Sequence, residues 1–349
     1  MFLSKLDSLS NAIKLVNDHQ KITKVEEIPL SEAHNRVLAE DIMAFHHSPP
    51  FDKSAMDGFA LIAENTFGAS QSAPKEFKVI DAIGAGDFSS KTVGENEAIV
   101  IATGAPIPDG ANAVLMKEYT TVDDDKLTIY SQVTPGENIS PKSEDIKKGQ
   151  KVLDKHTFIR YQELGLIASA GYDKVKVFKK PRVKVIITGN ELVEPTKEEI
   201  DKAKIINSNQ YTVSAMVEDS GAICDITHAG DTFDEVKEAI LEASNDYDVI
   251  ITTGGTAISK GDVVLDVVDD LGEILFHGVA VRPGKPVGAG VVNDKMVFTL
   301  SGQPVASMSQ FDMVARKYLF EMQGRSFDFH LQKRVSELKI PSQLGRTDF

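Results

Sequence analysis

Apolar positions in the opening stretch "MFLSKLDSLSNAIKLVNDHQ" recur every three or four residues. Leu6, Leu9, Ile13 and Val16 share one face of an amphipathic helix. The next segment, "IPLSEAHNRVLAEDIMA", predicts a turn or two of helix capped by Ser31, then a strand over "RVLAEDIMA". Pro49 and Pro50 make "FHHSPPFDKSAMDGFAL" an extended loop, because proline fixes φ and biases its predecessor away from helix. From residue 59 to 140, short apolar runs such as "FKVIDAIGAGDF", "EAIVIATGAPIPDGANAVLM" and "KLTIYSQV" are punctuated by Gly, Pro and Asp turns, which predicts an all-β lobe. "YQELGLIASAGY" reads as a helix with a glycine stop, and Lys179 to Arg182 as a domain boundary.

Beyond that boundary the period changes. Strands "VKVIIT", "AICDITHAG", "DVIITTGG" and "MVFTLSG" alternate with helical stretches near 207–219, 231–244, 262–271 and 303–321. This alternation predicts an α/β domain with a largely parallel sheet covered on both faces. Ligands of such sheets bind beyond the carboxyl ends of the strands. The loops found there, "TGNEL", "HAGD", "TTGGTAISKGD" and "LSGQP", are all rich in glycine, hydroxyls or acids, and all should line one edge.

Composition narrows the partners. At 349 residues the chain is long enough for two or three domains, and its 42% hydrophobic and 26% charged residues suit a globular protein with an ample core. A net charge of −14 argues against nucleic acid as the main partner, since phosphate backbones demand a basic face. The single cysteine, Cys224, excludes an intrachain disulfide framework and a cysteine-based zinc site, and reads as a small buried hydrophobe. No apolar run approaches the ~20 residues that cross a membrane, and the start lacks a signal-peptide core, so a cytoplasmic location is expected.

The strand-end loops carry acids and anion-binding features together. Glu191, Asp231 and Asp262 follow three different strands and should converge on one crevice; Asp231 and Asp262 also stand where a helix cap would. Gly254 and Gly255 let a backbone approach a ligand closely. In "VRPGKPVG", Arg282 and Lys285 bracket a Pro–Gly turn and bring cations. A bare carboxylate ~4 Å from a phosphate oxygen would cost on the order of 4 kcal/mol at an effective dielectric of 20. A Mg²⁺ ion between them removes that cost, which argues for metal-assisted phosphoryl chemistry. There is no Walker motif; "GAGDF" at 84–88 reads as a turn in the β lobe, and His46–His47 lacks metal-ligand spacing.

In this order, "SPPFDKSAMDGFAL", "IATGAPIPDGANAVLMKE", "GENISPKSEDIKKG", "LGLIASAGY", "PRVKVIITGNEL", "INSNQ" and "VRPGKP" resemble molybdopterin molybdenumtransferase, the MoeA family of molybdenum-cofactor biosynthesis, also found as one domain of gephyrin. The resemblance runs from the first helix to about residue 325. It implies insertion of molybdate into adenylated molybdopterin with release of AMP, assisted by Mg²⁺. It implies an elongated homodimer, with the pterin nucleotide enclosed by the β lobe and α/β domain of different subunits. Further partners implied are the molybdopterin adenylyltransferase and apo-molybdoenzymes, with no nucleic acid and no membrane. Catalytic roles fall by resemblance on Asp57 of "AMDG", Glu191, Asp231 and Asp262, the last three also as metal ligands. Substrate-binding roles fall on Thr103 of "TGAP", Asp145 of "EDI", Gly254, Gly255, Arg282, Lys285 and Pro304.

The implied organisation is an elongated N-terminal and dimerisation region (1–45 and 141–180), a β lobe (46–140), a MogA-like three-layer molybdopterin-binding α/β domain (181–326) and the remnant of a truncated C-terminal β domain (327–349). In that remnant "SELKIPSQLG" reads as an alternating strand without its sheet. The sequence departs from the family pattern at "TTGGTAISKGD", which keeps only the spacing to Asp262, and at Gln303, where asparagine is usual. "NISPKSEDI" also lacks the usual arginine and glycine before the acids. Two other readings use the same residues: an adenylyltransferase acting one step earlier, and a gephyrin-like scaffold that leaves the strand-end acids unexplained.

Overall fold

The structure, a computed structural model, describes residues 6–255 and 262–326 together with the backbone of Thr347 and Asp348. The chain forms two compact units. One takes Met1–Glu40, Lys155–Arg160 and Lys174–Phe349; the other takes Asp41–Asp154 and Tyr161–Asp173.

The first unit opens with helix α1 (Leu9–Asn17), where Ser8 Oγ accepts the Asn11 N–H and Ala12 and Val16 are buried. Strand β1 (Val25–Pro29) follows and pairs antiparallel with Lys174–Phe178. Ser31 does not cap a helix: it lies inside a single 3-10 turn, Leu30–Glu32, whose cap position is taken by Pro29 without a side-chain bond. Nor is "RVLAEDIMA" one strand. Val37 and Leu38 bridge Phe158 and Val177 in the first unit, the chain enters the second after Glu40, and Ile42–Met43 pair there with Lys151–Leu153. Its apolar residues serve two separate ladders, and the alternation in the sequence hides the break.

The second unit is built on six strands: β2 (Gly58–Leu61), β3 (Lys75–Ile83), β4 (Glu97–Ile101), β5 (Ala113–Met116), β6 (Thr120–Asp123) and β7 (Lys126–Ile129). Their order is β5-β2-β4-β3-β7-β6, with only β3 and β4 parallel. Phe59 and Leu61 pack with Phe77, Leu115 and Leu127, while Ala60 between them packs with Ile99, Ile101 and Val114. That is the period of two expected of a strand, here with both faces covered. Helix α2 (Tyr161–Ala170) stops at Gly171, whose φ of +103° only glycine adopts freely.

The first unit then resumes with β8 (Lys174–Phe178), β9 (Arg182–Thr188), α3 (Asn209–Asp219), β10 (Ile223–Ala229), α4 (Phe233–Asp246), β11 (Val249–Thr253), α5 (Val263–Leu271), β12 (Gly272–His277), β13 (Gly288–Val292), β14 (Lys295–Leu300), α6 (Pro304–Gln310) and α7 (Arg316–Met322). A π turn, Phe311–Ala315, joins α6 to α7. The sheet order is β10-β9-β11-β14-β13-β12: the first three pairings are parallel and the last two antiparallel, so β13 alone runs against the rest. Val183, Val185, Ile251 and Phe298 pack with α1, α3, the π turn and α7, whereas Ile186, Ile250 and Val297 pack with α4 and α5. The predicted doubly covered α/β layer is present. The antiparallel edge was not read from sequence, because two of the five residues of "GAGVV" are glycine. Added Cβ atoms at Gly288 and Gly290 would stand 2.7 Å from Thr299 Oγ1 and 2.4 Å from Val268 Cγ1, so tight packing removes the β-branched signature there.

The expectation for "SELKIPSQLG" falls outside the described residues; beyond it, Thr347–Asp348 run parallel to Val281–Arg282. Phe298 is fully buried and meets Tyr318 edge to face at 5.7 Å. Phe298→Ala should cost about 3–5 kcal/mol, read as a lower urea midpoint for the α/β unit; an unmoved midpoint would show that this core does not depend on the ring.

Candidate active site

Three strand ends converge at Gly254. The backbone there has φ +97°, followed by +69° at Gly255, and a Cβ on Gly254 would lie 2.3 Å from the Thr188 carbonyl oxygen at the end of β9. The Gly254 N–H donates to Leu300 O at 3.2 Å, and a Cβ on Gly302 would stand 3.6 Å from Gly254 Cα. Thr188 Oγ1 donates to Thr253 O at 3.3 Å, closing β9 onto β11. Behind them Asn209, nine-tenths buried, donates its Nδ2 to Gly302 O at 2.9 Å. Residues 256–261, which carry the hydroxyls expected to contact phosphate, lie outside the described residues.

The structure separates the roles of the three strand-end acids. Asp231 is not a helix cap: Thr232 takes that place, in a capping box with Glu235. The Asp231 carboxylate is thereby left to accept the Asn190 N–H at 2.9 Å. Glu191 folds back over Gly189, where an added Cβ would stand 2.7 Å from its Oε2, and Lys204 Nζ donates to Asn190 O at 2.7 Å. Asp231 and Glu191 therefore serve the same loop, which follows β9. Asp262 does cap α5, its Oδ1 accepting the Leu265 N–H at 3.2 Å.

Asp262 is also the most electrostatically unusual acid of the crevice. Its side chain is only 10% exposed. Burial, with Asp266 adding to it and the α5 backbone N–H groups opposing, pushes the carboxyl up to about 6. His277 Nε2 stands 3.8 Å from Oδ2, but burial lowers that imidazole below its ordinary range, so it supplies no lasting positive charge. A desolvated carboxylate without a cation is what a divalent ion would satisfy. Among the described residues no three His, Cys, Asp or Glu side chains are placed to hold a metal, so the three acids are not a preformed cage. Mg²⁺ needs no such cage, since it binds through one or two carboxylates together with waters and substrate phosphate.

Arg282 is exposed and Lys285 half-buried, on a turn centred on the buried Gly284 (φ +108°). Among the described residues no ion pair engages either cation. Lys285 O accepts the Val279 N–H at 3.0 Å, which ties the turn back to the residues after β12. Pro304 opens α6 at its first helical position, and the preceding Gln303 makes no side-chain cap.

In the second unit Asp57 and Thr103 meet directly. Asp57 Oδ1 accepts the Thr103 N–H at 2.8 Å and its hydroxyl at 2.7 Å, and Lys117 Nζ lies 3.4 Å from Oδ2. The Thr103 hydrogen bonds, then Lys117, hold this carboxyl below its usual range. Gly58 beside it admits no side chain, since a Cβ would sit 2.0 Å from Leu115 O. Asp145 is exposed in a neighbouring stretch of the chain, its N–H donating to Ser48 O at 3.0 Å, and its carboxylate does not enter the Asp57 cluster. His47 Nδ1 accepts the Lys148 N–H at 3.2 Å and lies 2.7 Å from Ser143 Oγ, so it organises that stretch. Cys224 is half-buried, its thiol pushed up to about 12 mainly by burial. Lys117, Asn209 and His277 were missed from sequence; only Lys117 and Asn209 lay within motifs that were singled out.

Asp262 sets a pH dependence. Its folded pKa of about 6 lies above the ordinary 3.8, so the native state holds the extra proton between these values. The associated stability is full below pH 4 and is lost as pH rises through 6. Asp262→Asn keeps the cap and should flatten this component of the metal-free stability profile, by up to about 1.4 kcal/mol per pH unit within the window. Parallel profiles for wild type and variant would refute the raised pKa.

Residues 7–171 match the family described as MoeA N-terminal region (domain I and II), and residues 184–321 match that described as probable molybdopterin binding domain. A Methanocaldococcus jannaschii protein named for molybdopterin biosynthesis is 40% identical over 339 residues, spanning 93% of this chain and 80% of its own. The molybdopterin molybdenumtransferase of Staphylococcus aureus is 38% identical over 318 residues, 90% of this chain and 76% of its own. The crystal structure of the molybdopterin biosynthesis moeA protein from Pyrococcus horikoshii matches with a TM-score of 0.82 at 35% identity, covering 99% of this chain and 86% of that one.

Proposed function

The chain belongs to the MoeA family, and on that premise we propose that it is a transferase of molybdenum-cofactor biosynthesis that inserts molybdate into adenylated molybdopterin and releases AMP, assisted by Mg²⁺. The carrying observation is the crevice at Gly254, where a backbone that only glycine can form lies at strand ends, with Gly255 against Val264 of the helix that the desolvated Asp262 caps.

Each group has a role its surroundings suit. The Gly254–Gly255 backbone admits a phosphate at close range. Arg282 and Lys285, unpaired within the described chain, neutralise phosphate or molybdate oxygens. Asp262 would hold the divalent ion, with Asp231 or Glu191 of the adjoining loop as a second carboxylate, and the ion would supply Lewis-acid stabilisation to the phosphate. Pro304 fixes the entry of α6 beside the substrate. In the second unit Asp57 stays ionised and oriented by Thr103, as a group that accepts a substrate hydrogen bond must be, and Asp145 contributes a further substrate contact.

By analogy with the family we place the protein in the cytoplasm as a homodimer; no helix among the described residues is long and apolar enough to cross a membrane. A molybdopterin adenylyltransferase would supply its substrate and apo-molybdoenzymes would receive its product. Light scattering at twice the 38.0 kDa chain mass is the expected result; a single-chain mass would reject the dimer.

The functional test is incubation with adenylated molybdopterin, molybdate and Mg²⁺. AMP should appear only when all three are present. AMP transfer from ATP to molybdopterin without molybdate would instead establish an adenylyltransferase, and failure to bind any nucleotide would favour a scaffold. Asp262→Asn and Asp57→Asn should each lower kcat/KM about a hundredfold, on the order of 3 kcal/mol of transition-state stabilisation. Wild-type rates for Asp262→Asn across a Mg²⁺ titration would remove that residue from the mechanism.

A further inference from the structure

The two cations sit on a turn anchored by a buried side chain to which the roles above assign nothing. Gln310, the last residue of α6, has no exposed surface. Its Oε1 accepts the Ser301 N–H at 2.6 Å and its Nε2 donates to Gly284 O at 3.0 Å. The amide cannot be reversed, because that would set oxygen against the Gly284 carbonyl and nitrogen against the Ser301 N–H. One side chain thus spans from the carboxyl end of β14 to the centre of the Arg282–Lys285 turn.

The packing agrees. An added Cβ at Gly284 would lie 3.1 Å from Gln310 Cγ and 3.4 Å from Met313 Cε, so the turn is seated directly on the helix. The π turn Phe311–Ala315 begins at the next residue, and such insertions recur where a helix must present a side chain to a functional site.

We propose that Gln310 is a positioning residue, holding the Arg282–Lys285 turn in register with the Ser301–Gly302 strand end so that one anion meets both. The assignment of that anion rests on the transferase reading above. Glutamate at 310 would still accept the Ser301 N–H but would repel the Gly284 carbonyl. Methionine would fill the space and make neither bond.

The test uses the full chain with Gln310→Glu and Gln310→Met. Amide hydrogen exchange is followed over 279–288 and 298–304 without substrate, and AMP release is measured in parallel. Gln310→Glu should speed exchange over 279–288 about tenfold and leave 298–304 within about twofold, whereas Gln310→Met should loosen both segments. KM for adenylated molybdopterin should rise about tenfold in both variants, with kcat within about twofold. If the buried acid unfolds the unit, Gln310→Met carries the test. Unchanged exchange over 279–288, or a loosened turn with unchanged KM, overturns the proposal. A wild-type chain that releases no AMP would reject the transferase reading, while the exchange result still decides whether Gln310 sets the turn.

Discussion

The site depends on a single close approach, the Thr188 carbonyl against Gly254. Three parallel strands end there, and their backbones come together only because no Cβ stands between them. Any other residue would meet the carbonyl at 2.3 Å in a left-handed conformation it resists. The strand would then have to end earlier or swing outward. Either change displaces the Leu300–Gly302 loop, which is bonded to the Gly254 N–H, and with it Asn209, which holds the Gly302 carbonyl. The hydrophobic sheet sets the direction of the strands; this glycine sets how tightly their ends close.

Within each unit the carboxylates are set in character by their own neighbours. Asp57, exposed and doubly hydrogen-bonded by Thr103, is stabilised as an anion. Asp262, nearly buried beside an imidazole that burial keeps neutral, is pushed toward protonation. Opposed shifts of this kind separate a fixed acceptor from a group waiting for a positive partner. Asp231 and Glu191 take neither course: one accepts a backbone N–H, the other lies over a glycine of the same loop. Freeing Asp231 required a different residue to cap α4, and Thr232 with Glu235 does so.

Period and punctuation were enough to place the α/β layer and to send Glu191, Asp231 and Asp262 to one sheet edge, because both follow from local spacing. What escaped were relations between distant residues. Gly302 and Asn209 are 93 residues apart, and Asp57 and Lys117 are 60 apart. Nothing in either segment announces its partner. The same holds for the broken strand at "RVLAEDIMA", where alternation is present but Val37 and Met43 pair in different units. The Asp231 cap failed for a local reason: two adjacent residues, Asp231 and Thr232, could both cap, and only the reciprocal bond to Glu235 decides between them. The glycine-rich edge strand failed because its packing excludes the side chains by which strands are recognised.

A chain of net charge −14 that handles anions is at odds with itself only until distance is considered. At physiological salt the Debye length is about 8 Å, so most surface acids are screened from a ligand in the crevice. On the proposed reading, what the ligand meets is local: two cations on one turn, unpaired within the described chain, and an acid whose burial already weakens its negative charge. A raised Asp262 pKa reduces repulsion at the crevice, and on the reading proposed above a divalent ion would then reverse its sign. Global charge therefore acts on the approach of substrate, which lowering the salt would slow. Retention is governed instead by where the Arg282–Lys285 turn is held, a matter of hydrogen bonds rather than of net charge.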